Sequence, residues 1–505
     1  MKNKIKENQI CFLMMGILSA CLVMMFSGGI SGNDFWWHVK AGEWIAAYQE
    51  VPKLGIFSWY AMEEGLPWIS HEWLSELFYY LIYSRTGSVG IFGFCAGAAF
   101  LMCGLILIRN RKNINRSPWY SFLYLIPAVL MISFFFYGRP HIFSFFLLYG
   151  VLACLYRIKE RESSKAFLAV PVLAVLWANF HGGSSNLPYL LCFLFLLSGC
   201  ANVTVGRLAM KRWSGRQAAA YGSAGVLSTA AVLLNPFGVR MLLYPYANMK
   251  DKLMLSVISE WAPPDAKDPM ELLLMFGPVV MAALAYLLAD RKVEVTDFIL
   301  FLFFSLMFFR SARFIALFII AASFCAMPYF PSSPMKSCES RREWAAYGIM
   351  ILLIAGVWGM EVRKTIQTWD RGELISSELS ADSLKEIKQE LNGASDGRAA
   401  RLYNDYSFGE SLIFEEVPVF MDGRADLYSG HNLRDGMELA LLKRMDEGGE
   451  NVGVYDPQEV IDKYGFDYLL IRKQQPLAVW LESRPDQYRL IYEDDTAVFY
   501  KTAGQ

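Results

Sequence analysis

Apolar runs near the length that crosses a hydrocarbon layer, about 20 residues, recur along this chain from Ile10 to Met360 and then stop. Read in order they predict roughly eleven spanning helices. The clearest cover 10–30, 88–108, 141–156, 217–234, 271–289 and 344–360; 117–136, 166–180, 187–205, 298–309 and 314–330 are less regular. Residues 34–48 and 71–84 instead read as amphipathic helices lying at the membrane interface, the depth that Trp and Tyr rings favour. Beyond Met360 the pattern becomes that of a soluble α/β domain. It predicts strands at Arg401 to Tyr406, Val417 to Asp422 and Tyr468 to Ile471, and a short helix from Phe408 to Phe414. Asp456-Pro457 opens a helix to Tyr464, with Pro at the first-turn position it tolerates. Tyr488 to Tyr492 and Ala497 to Tyr500 make a closing hairpin around Asp494-Asp495. No internal repeat of the transporter kind is visible.

The expected fold is therefore a polytopic α-helical membrane domain over 1–360, its first outer loop at 31–87, followed by a soluble extracytoplasmic α/β domain over 361–505. Composition agrees: of 505 residues 55% are apolar. The first segment has the basic start of a signal peptide (Lys2, Lys4, Lys6) but a longer apolar run than the usual core of about 7–15 residues, which favours a retained anchor. The nine cysteines show no metal-site spacing, so disulfides and a cysteine-bound metal are not expected. Net charge is −1, yet about 28 acids and 17 bases fall after Met360, leaving a basic excess in the membrane part. An acidic outer domain and basic inner loops disfavour nucleic acid as a partner.

Basic loops mark the cytoplasmic side. Here they are the N-terminus, Arg109 to Arg116, Arg157 to Lys165, Arg207 to Arg216, and Lys336 to Arg342. Asp290 to Asp297 is charge-balanced and says nothing. The alternate connections must then face outward, and they carry His38, His71, His141 and His181, all the histidines of the membrane part. An odd number of spans places the fifth, His431, outside as well. One outward-facing polar cavity is the simplest account.

The densest of these loops is Asp34-Phe35-Trp36-Trp37-His38, continued by Pro67-Trp68 and His71-Glu72-Trp73-Leu74. Acid, imidazole and aromatic planes are what binding a polar ring and deprotonating a hydroxyl require. Arg310 and Arg313 follow a segment short for a full crossing and read as recessed below the outer surface, where ionisable groups are costly without water or an anionic partner. The fork of an arginine matches phosphate, and a lipid phosphate is a natural ligand at that depth.

The motifs Asp34-x-Trp-Trp-His, Pro67-Trp68…His71-Glu72-Trp73-Leu74, Trp177-x-Asn179-x-His181-Gly182, Asn235-Pro-Phe-Gly and Glu260-Trp261 occur together with Asn404-Asp405-Tyr406 and Met421-Asp422-Gly423-Arg424-x-Asp426-Leu427-Tyr428. Together they resemble a broad group of bacterial multispanning proteins similar to the glycosyltransferase-C superfamily. The resemblance implies a polyprenyl-phosphate-linked sugar donor, an active site at the outer surface of the bacterial plasma membrane, and an acid in the first outer loop. Asp34 matches that acid. Glu72 lies where a second acidic motif falls, but the chain lacks an adjacent acidic pair, so no cofactor is called for and a divalent metal stays an open alternative.

On this reading Asp34 is the general base that deprotonates the acceptor as the lipid phosphate departs; the bland alternative is an N-cap. Glu72 is a second base, hydroxyl binder or metal ligand, or else a first-turn acid favoured by the helix dipole. His38, one turn after Asp34, binds substrate, orients Asp34 or is an interfacial polar residue. Arg139, His141, Arg310 and Arg313 hold phosphate, or snorkel as ordinary helix-end charges. His181 beside Gly182-Gly183 is a ligand or a hydrogen-bonded core histidine, and Glu260 with Trp261 a sugar contact or an interfacial anchor. Asp422, Arg424 and Asp426 read as a structural charge cluster. The expected reaction moves a sugar from the lipid-linked donor to an outer-surface glycan, lipid or protein. The rivals are a translocase and a non-catalytic scaffold on the same fold, with membrane lipid as surroundings in every case.

Overall fold

The computed structural model describes residues 15–22, 34–162, 165–248, 252–257, 261–332, 379–393, 400–446, 451–453 and 455–503. The expected spans 10–30 and 344–360 lie largely or wholly outside these. Packing divides the chain into two compact units. One comprises Met1–Ile30, Thr86–Pro245 and Glu260–Leu374; the other comprises Ser31–Arg85, Tyr246–Ser259 and Ile375–Gln505. In this division the first loop groups with the tail.

Among the described residues three helices are long and apolar enough to cross a membrane: Trp73–Arg116, His141–Glu160 and Pro269–Leu287. Shorter apolar helices include Pro118–Phe134 and Ala312–Cys325. The 44-residue helix is two helices joined at Gly87, whose φ of 62° and ψ of −157° break the helical path. Such a conformation suits glycine, which lacks a Cβ, and it divides the interfacial stretch from the apolar run that begins at 88. The segment expected over 187–205 instead ends its helix at Leu197. Val203–Val205 turns back as a strand against Leu208–Met210, because Gly206 at φ 57° permits a tight turn.

The region at Asp290 to Asp297 that looked uninformative is an anchor. Asp297, in the first turn of the helix Val295–Arg310, accepts from Lys159 at 2.8 Å, Tyr156 at 2.7 Å and Tyr329 at 2.7 Å. Both oxygens of this buried side chain are therefore paired, Oδ1 with Lys159 and Tyr156 and Oδ2 with Tyr329, as burial of a polar group requires.

The second unit contains a four-stranded sheet in the order Leu402–Asn404, Tyr468–Arg472, Ala497–Thr502, Tyr488–Glu493. The first pair is parallel and the others antiparallel. Leu469, Leu470, Ile471 and Phe499 are fully buried and form its core with Tyr403 and Phe466. The helices Pro457–Tyr464 and Gly409–Phe414 appear as expected. Val417 to Asp422 is no strand of the sheet; it runs extended, bridged in parallel by Val419 to Ser58. Val419 donates to Phe57 O and accepts from Trp59 N, both at 3.0 Å. Its alternating apolar pattern is met by the first loop instead of a neighbouring strand.

Candidate functional site in the first loop and tail

Asp34 precedes the helix Phe35–Tyr48 and makes no capping bond to it. Its Oδ1 accepts from the Trp37 indole at 3.3 Å, so the side chain turns toward its own helix's aromatic face and stays partly exposed. Trp37 lies on the His38 ring, centroids 3.7 Å apart. Trp36 and Trp37, expected at the interface, are buried instead, 4% and 5% exposed in the folded chain. The Trp36 ring packs tilted against Phe414, and its backbone N–H donates to the buried Glu410 at 3.2 Å.

His38 lies between two carboxylates. Its Nε2 is 3.6 Å from Glu72 and its Nδ1 is 3.9 Å from Glu76. His71 faces the other Glu72 oxygen at 3.6 Å. Glu72 stands just before the helix Trp73–Arg116 and its carbonyl accepts from Glu76 N at 3.0 Å, which sets the two acids one turn apart. Glu76 lies before the break at Gly87, outside the apolar run. It is fully buried, and its Oε2 accepts from Ser70 at 2.8 Å. Burial pushes its carboxyl up to about 8, against the opposing Ser70 bond and Arg424 charge, while Asp426 adds to the rise. At neutral pH it carries a proton.

Two helices can hold this cluster only because Gly42 faces Glu76. A Cβ at position 42 would lie 2.1 Å from the Glu76 carbonyl oxygen. The backbones therefore touch, and the acids and His38 are brought together at the crossing.

The tail closes the other side. Arg424, 2% exposed, binds Asp422 in a fork, Nε to Oδ1 at 2.8 Å and Nη2 to Oδ2 at 2.6 Å. Tyr428 donates to the same carboxylate. Burial opposes the guanidinium charge, but Asp422 and Tyr428 outweigh it and keep the group charged. Its Cζ is 4.7 Å from the Trp68 ring centre, 5.4 Å from Phe57 and 6.0 Å from Trp37. Phe57 takes φ 75°, a left-handed strain that persists only where surroundings over-determine it; here the pairing with Val419 does so. The expected Asp422–Arg424 charge cluster is thus the plug of an aromatic cage built from the first loop. Asp426 contributes charge near Glu76.

Glu76 and Ser70 were not singled out from the sequence, nor was the grouping of Trp37, Phe57 and Trp68 around Arg424. The i, i+4 spacing of Glu72 and Glu76 was the available signal.

In the helical unit, Arg139 stacks on Tyr137 and His141 bonds the Phe135 carbonyl. His181 Nδ1 meets Ser144 at 2.6 Å and Ser184 at 3.1 Å, and Ser184 also accepts from Trp177 at 3.0 Å. Arg313 lies 4.6 Å over Trp261, whereas Arg310 is exposed. Glu260 lies outside the described residues. Among the described residues no group of three or more His, Cys, Asp or Glu is arranged to hold a metal ion.

No known protein-family profile matches the chain, and no curated protein does. Solved structures do. The apo oligosaccharyltransferase of Archaeoglobus fulgidus superposes with a TM-score of 0.52 at 10% identity, covering 92% of this chain and 69% of its own. Oligosaccharyltransferase AglB from the same organism, in complex with an inhibitory peptide and a dolichol-phosphate, gives 0.45 at 10% identity with the same coverage. The likeness at 0.52 concerns the fold alone: the chain folds similarly to the Archaeoglobus fulgidus oligosaccharyltransferase.

Proposed function

We propose that the protein is a membrane glycosyltransferase, moving a sugar from a polyprenyl-phosphate-linked donor to an outer-surface glycan, lipid or protein, with Asp34 as the general base. The observation that carries this reading is Asp34 itself, a partly exposed carboxylate that does not cap its helix and is oriented by the Trp37 indole. In the proposed step the acceptor hydroxyl oxygen attacks the anomeric carbon and its proton passes to Asp34. The bond from that carbon to the phosphate oxygen breaks, and the phosphate leaves with the electron pair. Glu72 and His38 support the acceptor side, and the carboxyl of Glu76 stays neutral behind them. Lipid phosphate recognition is assigned to Arg310 and Arg313, with Arg139 and His141 as further candidates; His181 and Trp261 are assigned to substrate contacts.

The test is transfer of radiolabelled sugar from a mixed pool of polyprenyl-phosphate sugars in membranes holding wild type or Asp34→Asn at matched levels. Wild type is expected to form product, and removal of a general base to cost about 10²–10⁴-fold. Equal product from both removes Asp34 from the mechanism. A correctly folded wild type that makes none overturns the enzyme reading.

A further inference from the structure

The hairpin between the helices Leu187–Leu197 and Gly215–Val232 has no part in the reaction proposed above. Its register pairs Val203 with Met210 and Val205 with Leu208. Directly opposed residues share a face of a two-stranded ribbon, so these four apolar side chains lie together on one side. At the open end they are uncovered, with Val203 50% and Val205 70% exposed.

Three contacts fix this hairpin to helix ends. Trp213 donates from its backbone to Gly199 O at 2.9 Å and from its indole to Phe195 O at 2.7 Å. A Cβ on Gly199 would lie within 2.3 Å of that indole, so the base of the hairpin is closed tightly. Arg207 reaches the last carbonyls of the membrane-length helix Pro269–Leu287, with Nη1 at 2.6 Å from Leu287 O. A third strand, Val293–Glu294, then pairs in parallel with Leu208–Ala209. The hairpin is thus held where three apolar helices end.

Its rim is cationic. Lys211, Arg212, Arg216, Arg291 and Lys292 are exposed. The neighbouring acids are engaged: Glu294 pairs with Lys159 at 2.8 Å, and Asp290 accepts from Ser332 N at 2.9 Å. An apolar tip with a basic rim fits an anionic bilayer surface, where apolar area and headgroup charge act together. We infer that the Val203–Met210 hairpin is a membrane-surface foot that seats its valines among the headgroups of anionic lipid. The unpaired edge of Val203–Val205 remains hydrated at that level, which the hydrocarbon core would forbid. This inference is independent of the catalytic reading.

The experiment uses the full chain in nanodiscs of phosphatidylcholine alone or with phosphatidylglycerol added. An environment-sensitive fluorescent amino acid replaces Val205, an exposed position where the fold tolerates change. Blue-shifted emission, quenched by lipid carrying a shallow nitroxide and stronger in the anionic discs, is expected. Combining Lys211→Gln with Arg212→Gln should lower that quenching roughly twofold or more, as two charges leave the surface. Emission of a water-facing probe quenched by iodide in both discs overturns the inference. Equal lipid quenching in both discs overturns the anionic preference. Photocrosslinking from position 205 to a protein instead of lipid replaces the lipid by a protein partner.

Discussion

Glu76 shows how one side chain links the loop to its surroundings. The folded protein holds its proton up to about pH 8, whereas the unfolded carboxyl releases it near 4.5. Between those values the native state binds more protons than the unfolded chain, so stability is greatest at the acid end and falls as pH rises. The slope is at most about 1.4 kcal/mol per pH unit. Glu76→Gln keeps the neutral shape and should remove this dependence; thermal unfolding in detergent from pH 5 to 8 measures it, and parallel curves for both proteins refute it. Arg424 makes the opposite case, a charge retained by a fork from Asp422. Asp422→Ala leaves that charge buried and unpaired and should cost about 3–5 kcal/mol. The double variant Asp422→Ala with Arg424→Leu should recover part of the loss in the same measurement. Asp422 and Arg424 stood out in the sequence as a charge cluster, and Asp34, His38 and Glu72 through their crowding with aromatics. Glu76 was hidden among ordinary helix acids, since nothing local reports burial.

At the scale of elements, the helix crossing at Gly42 decides whether the acids meet. Gly42→Ala places a Cβ 2.6 Å from the Glu76 carbonyl carbon and 2.7 Å from Tyr80 Cβ. Backbone cannot rotate away, so a loss of about 1–3 kcal/mol or more is expected. Gly93→Ala, where nothing lies within 4 Å, should instead gain up to about 1 kcal/mol from helix propensity. Equal melting temperatures for the two variants would show that the crossing is not tight. Local pattern found the closing hairpin and the helix Pro457–Tyr464 because their signals, an acidic turn and a Pro after an Asp cap, are local. It misplaced Val417 to Asp422 because an extended apolar stretch looks alike whether it joins a sheet or is bridged by a distant loop.

For the whole molecule, the consequence is that the tail does not fold around its own sheet alone. Trp59 donates to Leu402 O at 3.0 Å, Ser58 donates to Phe420 O at 3.2 Å, and Arg401 pairs with Glu63 at 2.9 Å. A fragment of residues 375–505 should therefore lack fixed tertiary structure, and joining it to residues 31–85 should restore it. Near-ultraviolet circular dichroism of both fragments checks this; a cooperative native spectrum from the tail alone would overturn it.

The sequence by itself determined the class of this protein. Its apolar runs require a bilayer, and the change of period after Met360 announces an α/β tail. Crowded aromatics, acids and histidines mark the first loop. Hydropathy and short-range spacing encode these features directly. Only the tertiary structure decided that loop and tail are one unit, that Glu76 stands behind His38, and that Arg424 is caged by Trp37, Phe57 and Trp68. The contacts between loop and tail join residues more than 300 positions apart, as in the 374-residue separation of Trp36 and Glu410, and Glu76 meets His38 only across the helix crossing at Gly42. Burial, close backbone approach and buried charge pairing arise there, where no local pattern records them.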